Sequence, residues 1–442
     1  MQISEILDNL KVAQLNAMQR ASVDAILHGR QDIVIMSSTG SGKTLAYMLP
    51  LVQLLNSQTD YVQALVLVPG RELAQQSTEV LRSMKCGIRA CACYGGRTTM
   101  DEHRMILQIR PHIIFATPGR INDHMKKGNF DNRHIKFLII DEFDKCLEMG
   151  FQNEMKVAID RLPKVERRIL VSATDAEYIP DFVNIGQCRR IDFSSSNLQI
   201  SERIKTYKVY SSTKDKLDTL SSLLRVLGKE SSIIFLNHRN GVERTTDFLC
   251  NKGFSVNCFH GGMEQKIRED ALYCFSNGSV NIFVCTDLGS RGLDIAGVRN
   301  VIHYHIPENK NSYVHRTGRT ARWQAAGNTY FILAPEEHVP DYVNGIVEDF
   351  HIPQVLPEPA LPVMTTLYIG KGRKDKISKG DIVGFLCKKG KLNTEDIGKI
   401  DIWDRYSYVA VKRTMANAVL NLLYSEKIKG QKTVVEPIKQ MG

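Results

Sequence analysis

The run Met36-Ser37-Ser38-Thr39-Gly40-Ser41-Gly42-Lys43-Thr44 follows five residues of strand character, Asp32 to Met36, and leads into Leu45 to Leu49, which reads as a helix. Strand, small flexible loop and helix start together form an anion cradle. The loop N–H groups converge, and the helix N-terminus adds partial positive charge. Lys43 is placed to reach β- and γ-phosphates, and the Thr44 hydroxyl to ligate Mg²⁺. The phosphate-loop pattern asks for Gly where Ser37 stands, but the more specific end, Thr39-Gly40-Ser41-Gly42-Lys43-Thr44, is intact. An ordinary Gly/Ser turn would not need Lys-Thr at this spacing.

Outward from this loop, the first 200 residues repeat apolar runs that end in polar motifs. Ala64 to Val68 meets Pro69-Gly70-Arg71-Glu72, and Ile113 to Ala116 meets Thr117-Pro118-Gly119-Arg120. Phe137 to Ile140 meets Asp141-Glu142, and Ile169 to Val171 meets Ser172-Ala173-Thr174. Such runs, alternating with helical stretches such as Leu73 to Met84, predict an α/β fold whose parallel sheet is covered on both faces. Ligands bind beyond the C-terminal strand ends of these sheets, where the polar motifs fall. After a candidate hinge at Ser194 to Asn197 the theme restarts with Ser232 to Leu236, Ile282 to Cys285, Val301 to Tyr304 and Thr329 to Leu333. This second half has no Lys-Thr loop of its own.

The chain has 442 residues, 43% hydrophobic and 24% charged, which suits a soluble globular protein of two or three domains. No apolar run approaches the roughly 20 residues of a membrane span, and Met1 to Leu10 is no secretory leader, so a cytoplasmic protein is expected. The ten cysteines show no paired metal-ligand spacing, and Cys91-Ala92-Cys93 is too close for a C-x-x-C clip. Free buried thiols are expected. Of the net charge of +10, most lies in Leu361 to Gly442, where 16 Lys and Arg face 8 Asp and Glu. A basic tail suits a polyanion. Beyond Pro353, Pro357, Pro359 and Pro362, whose spacing suits a stiff linker, the pattern reads β-α-β-β-α-β. That is the split-βαβ order used by many RNA-binding domains.

Two further clusters carry chemistry. Asp141 and Glu142 close a buried strand. One carboxylate can hold the metal while its neighbour orients or deprotonates the attacking water. His315-Arg316-Thr317-Gly318-Arg319-Thr320-Ala321-Arg322 supplies guanidinium forks, with Arg319 and Arg322 the candidate arginine fingers for a transferring γ-phosphate.

With these motifs in order, the first 350 or so residues resemble the DEAD-box RNA helicases: Gln19, Ser37–Thr44, Pro69–Ala74, Gly95-Gly96, Thr117–Arg120, Asp141-Glu142-Phe143-Asp144 and Ser172–Thr174. Ile233–Asn237, His260-Gly261 with Gln265 and Arg268, Thr286–Asp294 and His315–Arg322 continue the series. The resemblance implies an ATP- and Mg²⁺-dependent RNA helicase built from tandem RecA-like domains. It further implies that Gln19 selects adenine, that Asp294 contacts ribose, and that Asp144 with Ser172 and Thr174 links nucleotide state to RNA. Arg71, Gly96, Thr117, Arg120, Gln265, Arg268 and Thr286 would line an RNA track, touching mostly phosphate and sugar. Departures from the family pattern are Phe143 for alanine, Gly70 for threonine, Ser37 for alanine, and Leu15–Met18, where no aromatic precedes Gln19.

The tail is similar to the RNA-binding domain of bacterial DbpA- and CsdA-type helicases, through Gly372–Lys376, Gly380–Gly384, Ile397–Ile400 and Tyr406–Val411. Tyr368, Tyr406 and Tyr408 occupy the places of base-stacking aromatics, and Arg373 and Lys374 those of phosphate contacts. The expected organisation is residues 1–196 as an ATP-binding RecA-like domain and 197–352 as a second one, then 353–362 as linker and 363–442 as an RRM-like domain. By analogy the target is ribosomal RNA in large-subunit assembly particles. The alternatives are an ATP-gated RNA clamp with little turnover, favoured by Phe143 and the region before Gln19, and a DNA helicase.

Overall fold

Runs of β-branched and large apolar residues build the sheets of the computed structural model, which describes residues 2–37, 40–96, 98–173, 179–193, 203–287, 298–320 and 326–438. In the first sheet these are β1 (Asp32–Ser37), β2 (Ala64–Leu67), β3 (Ala90–Cys93), β4 (Ile113–Ala116), β5 (Phe137–Ile140), β6 (Arg167–Ser172) and β7 (Cys188–Phe193). All pair in parallel in the order β3-β4-β2-β5-β6-β1-β7. Strands β1, β2, β4 and β5 are buried along their whole length because helices cover both faces. Each fully buried Ile, Val or Leu there contributes about 2 kcal/mol relative to exposure. Only β6 separates β1 from β5, so the loop after β1 and the carboxylates after β5 emerge side by side.

A second parallel sheet of seven strands has the order β10-β11-β9-β12-β13-β8-β14. Its strands are β8 (Ile204–Tyr210), β9 (Ser232–Leu236), β10 (Val256–Phe259), β11 (Ile282–Thr286), β12 (Asn300–His303), β13 (Gly327–Leu333) and β14 (Val347–Asp349). The edge strands β3 and β14 and the strands β7, β8 and β10 were not marked by the sequence pattern. Their burial is broken or their runs are short, so no continuous apolar signal announces them.

The tail folds as β15 (Met364–Ile369), a helix Lys379–Lys388, β16 (Ile397–Ile402), β17 (Ser407–Lys412) and a helix Ala416–Leu423. The hairpin β18 (Lys427–Ile428) and β19 (Gln431–Lys432) precedes β20 (Val435–Pro437). Its main sheet is antiparallel, ordered β16-β17-β15-β20. Alternation sorts its faces. Leu367, Ile369, Val409 and Val411 pack with Ile382, Phe385, Val419 and Leu423 of the two helices, which leaves Thr366, Tyr368, Tyr408 and Ala410 on the opposite face. The chain divides into two compact units between residues 202 and 203, and this small sheet belongs to the second.

Candidate functional site

The first turn of the helix Lys43–Leu54 starts directly from the glycine loop. Gly40 and Gly42 take φ of +79° and +84°, a region open to glycine but strained for other residues. At Gly42 a Cβ would also lie 2.4 Å from Gln19 Nε2. Lys43 is buried and donates from Nζ to the Ser37 carbonyl at 2.5 Å, which folds the ammonium back over the loop.

Gln19 enters through a capping box. Asn16 Oδ1 accepts from Gln19 N–H at 2.9 Å and Gln19 Oε1 accepts from Asn16 N–H at 3.0 Å. Gln19 Nε2 donates to the Gly42 carbonyl at 3.2 Å, and Asn16 Nδ2 to the Ser41 carbonyl at 2.9 Å. The start of the helix Ala17–His28 is thus bonded to the loop. Beyond these bonds the Gln19 amide keeps one N–H and one lone pair.

Asp141 is buried at the end of β5. Burial raises its pKa, opposed by the Tyr47 hydroxyl and the Lys43 charge. Tyr47 donates to Asp141 Oδ2 at 3.0 Å, Thr44 Oγ1 reaches the same oxygen at 3.5 Å, and Glu142 N–H donates to Oδ1 at 3.0 Å. Tyr47 was missed in the sequence, although its place one turn after Lys43 puts both on one helix face. Glu142 adopts φ +51°, a left-handed conformation that costs about 1–2 kcal/mol for a residue with a Cβ. Strain held at a strand end beside a buried carboxylate is of the kind active sites carry. Ser172 is buried at the end of β6, and Phe143 is fully buried in the core on one face of the first sheet.

Further along the same strand ends, Gly96 takes φ +101°, where a Cβ would meet Arg71 Nη1 at 2.6 Å. Thr117 holds the N-terminal cap position of the helix Pro118–Lys126, without a side-chain cap bond. Arg120 donates from Nε to Glu102 Oε2 at 2.7 Å and from Nη1 to Thr99 Oγ1 at 3.0 Å. Glu102 also receives His124 Nε2 at 2.8 Å and Tyr94 N–H at 3.0 Å. Burial favours neutral His124, but bonds to Cys93 and Glu102 outweigh it and hold its pKa at about 9.

In the second unit, Arg316 is the arginine most deeply held. Its side chain is 0% exposed and grips Asp287 with two bonds of 2.6 Å. It also donates to the His305 carbonyl at 2.6 Å and to Asn237 Oδ1 at 3.2 Å. That network fixes the helix Lys310–Thr317, which carries His315 and leads to Arg319, both buried. Arg268 lies over the Phe259 ring at 4.6 Å, Gln265 Nε2 donates to Glu269 at 3.1 Å, and Thr286 is buried at the end of β11. Ser38, Thr39, Thr174, Asp294, Arg322 and the candidate hinge lie outside the described residues.

One expectation is corrected. Tyr408 is 3% exposed and does not present a face for a base. Its ring packs 5.1 Å from Tyr273, and its hydroxyl donates to Asp270 Oδ1 at 2.8 Å, both on the helix Gln265–Ser276. Tyr273 OH donates to the Lys399 and Tyr408 carbonyls, Ser279 Oγ meets Thr366 Oγ1 at 2.7 Å, and Arg413 donates to the Ser279 carbonyl at 3.0 Å. The sheet face that pattern alone would offer to RNA is therefore covered around Tyr408. Tyr368 and Tyr406 stack on each other at 5.6 Å and stay partly exposed. Arg373 and Lys374 are exposed.

Among the described residues no helix is long and apolar enough to cross a membrane. Residues 16–182 match the model of the DEAD/DEAH box helicase, 215–324 that of the helicase conserved C-terminal domain, and 366–437 that of the DbpA RNA binding domain. The chain is 32% identical to the ATP-dependent RNA helicase DbpA of Escherichia coli, over 98% of this chain and 96% of that relative. It is 34% identical to the ATP-dependent rRNA helicase RRP3 of Yarrowia lipolytica, over 75% of this chain and 70% of that protein. Among solved structures it is similar to S. cerevisiae Dbp5 bound to RNA and ADP BeF3, with 26% identity and a TM-score of 0.67. That match covers 75% of this chain and 88% of the other.

Proposed function

The chain belongs to the DEAD-box ATP-dependent RNA helicases, with a DbpA-type RNA-binding domain at its C-terminal end, and from that premise we propose that it locally unwinds structured ribosomal RNA during large-subunit assembly in the cytoplasm. In this reading residues 1–196 bind ATP, 197–352 form the second lobe, 353–362 are the linker, and 363–442 are an RRM-like tether. A tether raises the local concentration of a chosen duplex to about the millimolar range, which gives a sequence-blind motor a preferred target. The choice of RNA is supported by the Yarrowia relative, which is an ATP-dependent rRNA helicase.

The observation that carries the reading is the convergence of Lys43, Thr44 and Tyr47 with Asp141 at the mouth of the glycine loop. Two oxygen donors, one of them a buried carboxylate, suit a hard dication, so Thr44 and Asp141 are the residues that would hold Mg²⁺. When bound, it would neutralise charge on the β- and γ-phosphate oxygens. Lys43 cradles the same phosphates, Gln19 selects adenine and Asp294 the ribose. Glu142 orients the attacking water and takes its proton. Arg319 and Arg322 stabilise charge on the transferring phosphoryl group, aided by His315. Asp144, Ser172 and Thr174 pass the nucleotide state to the RNA track of Arg71, Gly96, Thr117, Arg120, Gln265, Arg268 and Thr286.

The test is ATP hydrolysis with and without RNA, alongside strand separation and sequencing of RNA crosslinked in cells. RNA-stimulated turnover with crosslinks concentrated in large-subunit rRNA is expected. Crosslinks spread across messenger RNA would overturn the target, and equal stimulation by DNA would overturn the choice of RNA.

A further inference from the structure

Cys93, Glu102 and His124 come from three separate elements: the end of β3, the helix Thr99–Ile109 and the helix Pro118–Lys126. All three are buried, and a sulfur, a carboxylate oxygen and an imidazole nitrogen lie within 4.8 Å of one another. Nothing in the ATPase reading uses this cluster. The pair His124 Nε2 and Glu102 Oε2, at 2.8 Å, is about half an ångström tighter than two ligands about 2.0–2.1 Å from a tetrahedral ion, so that pair must open by this amount to admit one. Cys91 supplies a second observation. Its Sγ is 3.8 Å from that of Cys93, which adds a second soft sulfur beside the group although Cys91 is not one of its three ligands.

We propose that Cys93, Glu102 and His124 form a three-ligand site for a borderline-soft divalent ion of the zinc type. Thiolate with imidazole selects such an ion over Mg²⁺ or Ca²⁺, which prefer oxygen. Charge balances in the exchange. One dication enters, the Cys93 thiol and the His124 imidazolium each release a proton, and the Arg120–Glu102 pair keeps its charges. Asn129 Nδ2 lies 2.8 Å from His124 Nδ1; a ring bound to an ion through Nε2 carries its proton on Nδ1, so the Asn129 amide must turn to present its oxygen there.

The ion would staple two loops. Tyr94-Gly95-Gly96 follows Cys93 directly, and Glu102 is bonded to both Tyr94 N–H and Arg120. If Gly96 and Arg120 touch RNA, as proposed above, metal occupancy sets the stiffness of that part of the track. The site itself does not depend on that reading.

The experiment is to express the full chain in minimal medium with Zn²⁺ or Co²⁺, purify it under reducing conditions, and measure metal per chain with the absorption spectrum. About one ion per chain is expected, with a thiolate-to-cobalt charge-transfer band that is lost in Cys93→Val and kept in Cys387→Ser. Circular dichroism checks that Cys93→Val remains folded, and Cys93→Ser serves if it does not. Metal far below one per folded chain would overturn the proposal, as would equal metal in wild type and the Cys93 variant. Both readouts are taken without RNA or ATP, so they stand apart from the test of the helicase reading.

Discussion

Tyr408 Oη donates to Asp270 Oδ1 at 2.8 Å, and Lys266 Nζ donates to the same hydroxyl, so the centre of the small antiparallel sheet is bonded to the helix Gln265–Ser276. That helix also carries Gln265 and Arg268. A covered Tyr408 moves the expected RNA contacts of this domain toward its exposed cations. Tyr408→Phe should cost about 1.5–3 kcal/mol of stability, as for a hydrogen bond to a charged group, and leave RNA affinity within about twofold. The double variant Arg373→Glu and Lys374→Glu should weaken RNA binding about tenfold or more and lower the salt slope by about 2. Filter binding across a salt series checks both. A Tyr408→Phe loss as large as that of the charge reversal would return the binding face to the sheet.

Lys43 is buried and donates to the carbonyl of Ser37 within its own loop. Lys43→Ala should reduce RNA-stimulated ATP hydrolysis by a factor on the order of 10³, as for loss of a preorganised charge at a transferring group. Nucleotide-free RNA binding by the full chain should be unchanged. Steady-state hydrolysis with a parallel binding isotherm is the measurement.

Phe143, where the family pattern has alanine, is fully buried. Phe143→Ala restores the familiar motif yet removes a buried ring, at a cost of about 3–5 kcal/mol. Denaturant unfolding should show that loss in the first unit, while the Asp141 and Glu142 carboxylates remain. A neutral outcome would mean that the surrounding core closes the cavity.

His305 gives a pH dependence. Burial and the charges of Lys216, His238 and Arg316, opposed by Glu337, pull its pKa down to about 4, against about 6.5 in an unfolded chain. Its Nδ1 accepts from Asn237 N–H at 3.1 Å, which requires the neutral ring. Below pH 6.5 the unfolded chain binds the proton first, so stability falls as pH drops from about 6.5 toward 4. After allowance for its partial exposure the loss is on the order of 1–2 kcal/mol. Thermal unfolding between pH 7 and 4.5 should show a smaller shift in His305→Gln than in the parent chain.

What the amino-acid order determined by itself was local. The glycine loop with Lys43 and Thr44, the adjacent Asp141 and Glu142, and the central strands of each parallel sheet are short-range features, written in covalent neighbours and in uninterrupted apolar runs. Edge strands such as β3 carry a weaker signal because half their side chains meet solvent. Tertiary structure decided which distant groups meet. Tyr47 reaches Asp141 across 94 positions because only β6 lies between β5 and β1, the strand that leads into the Tyr47 helix. Cys93, Glu102 and His124 have no ligand spacing along the chain, and converge because β3 and β4 are neighbours and two helices leave that edge. Alternation put Tyr408 on one face of its sheet, but whether that face meets RNA or protein depends on what packs against it. Periodicity sorts the faces of an element, and the surface that covers each is chosen by residues far away in the chain.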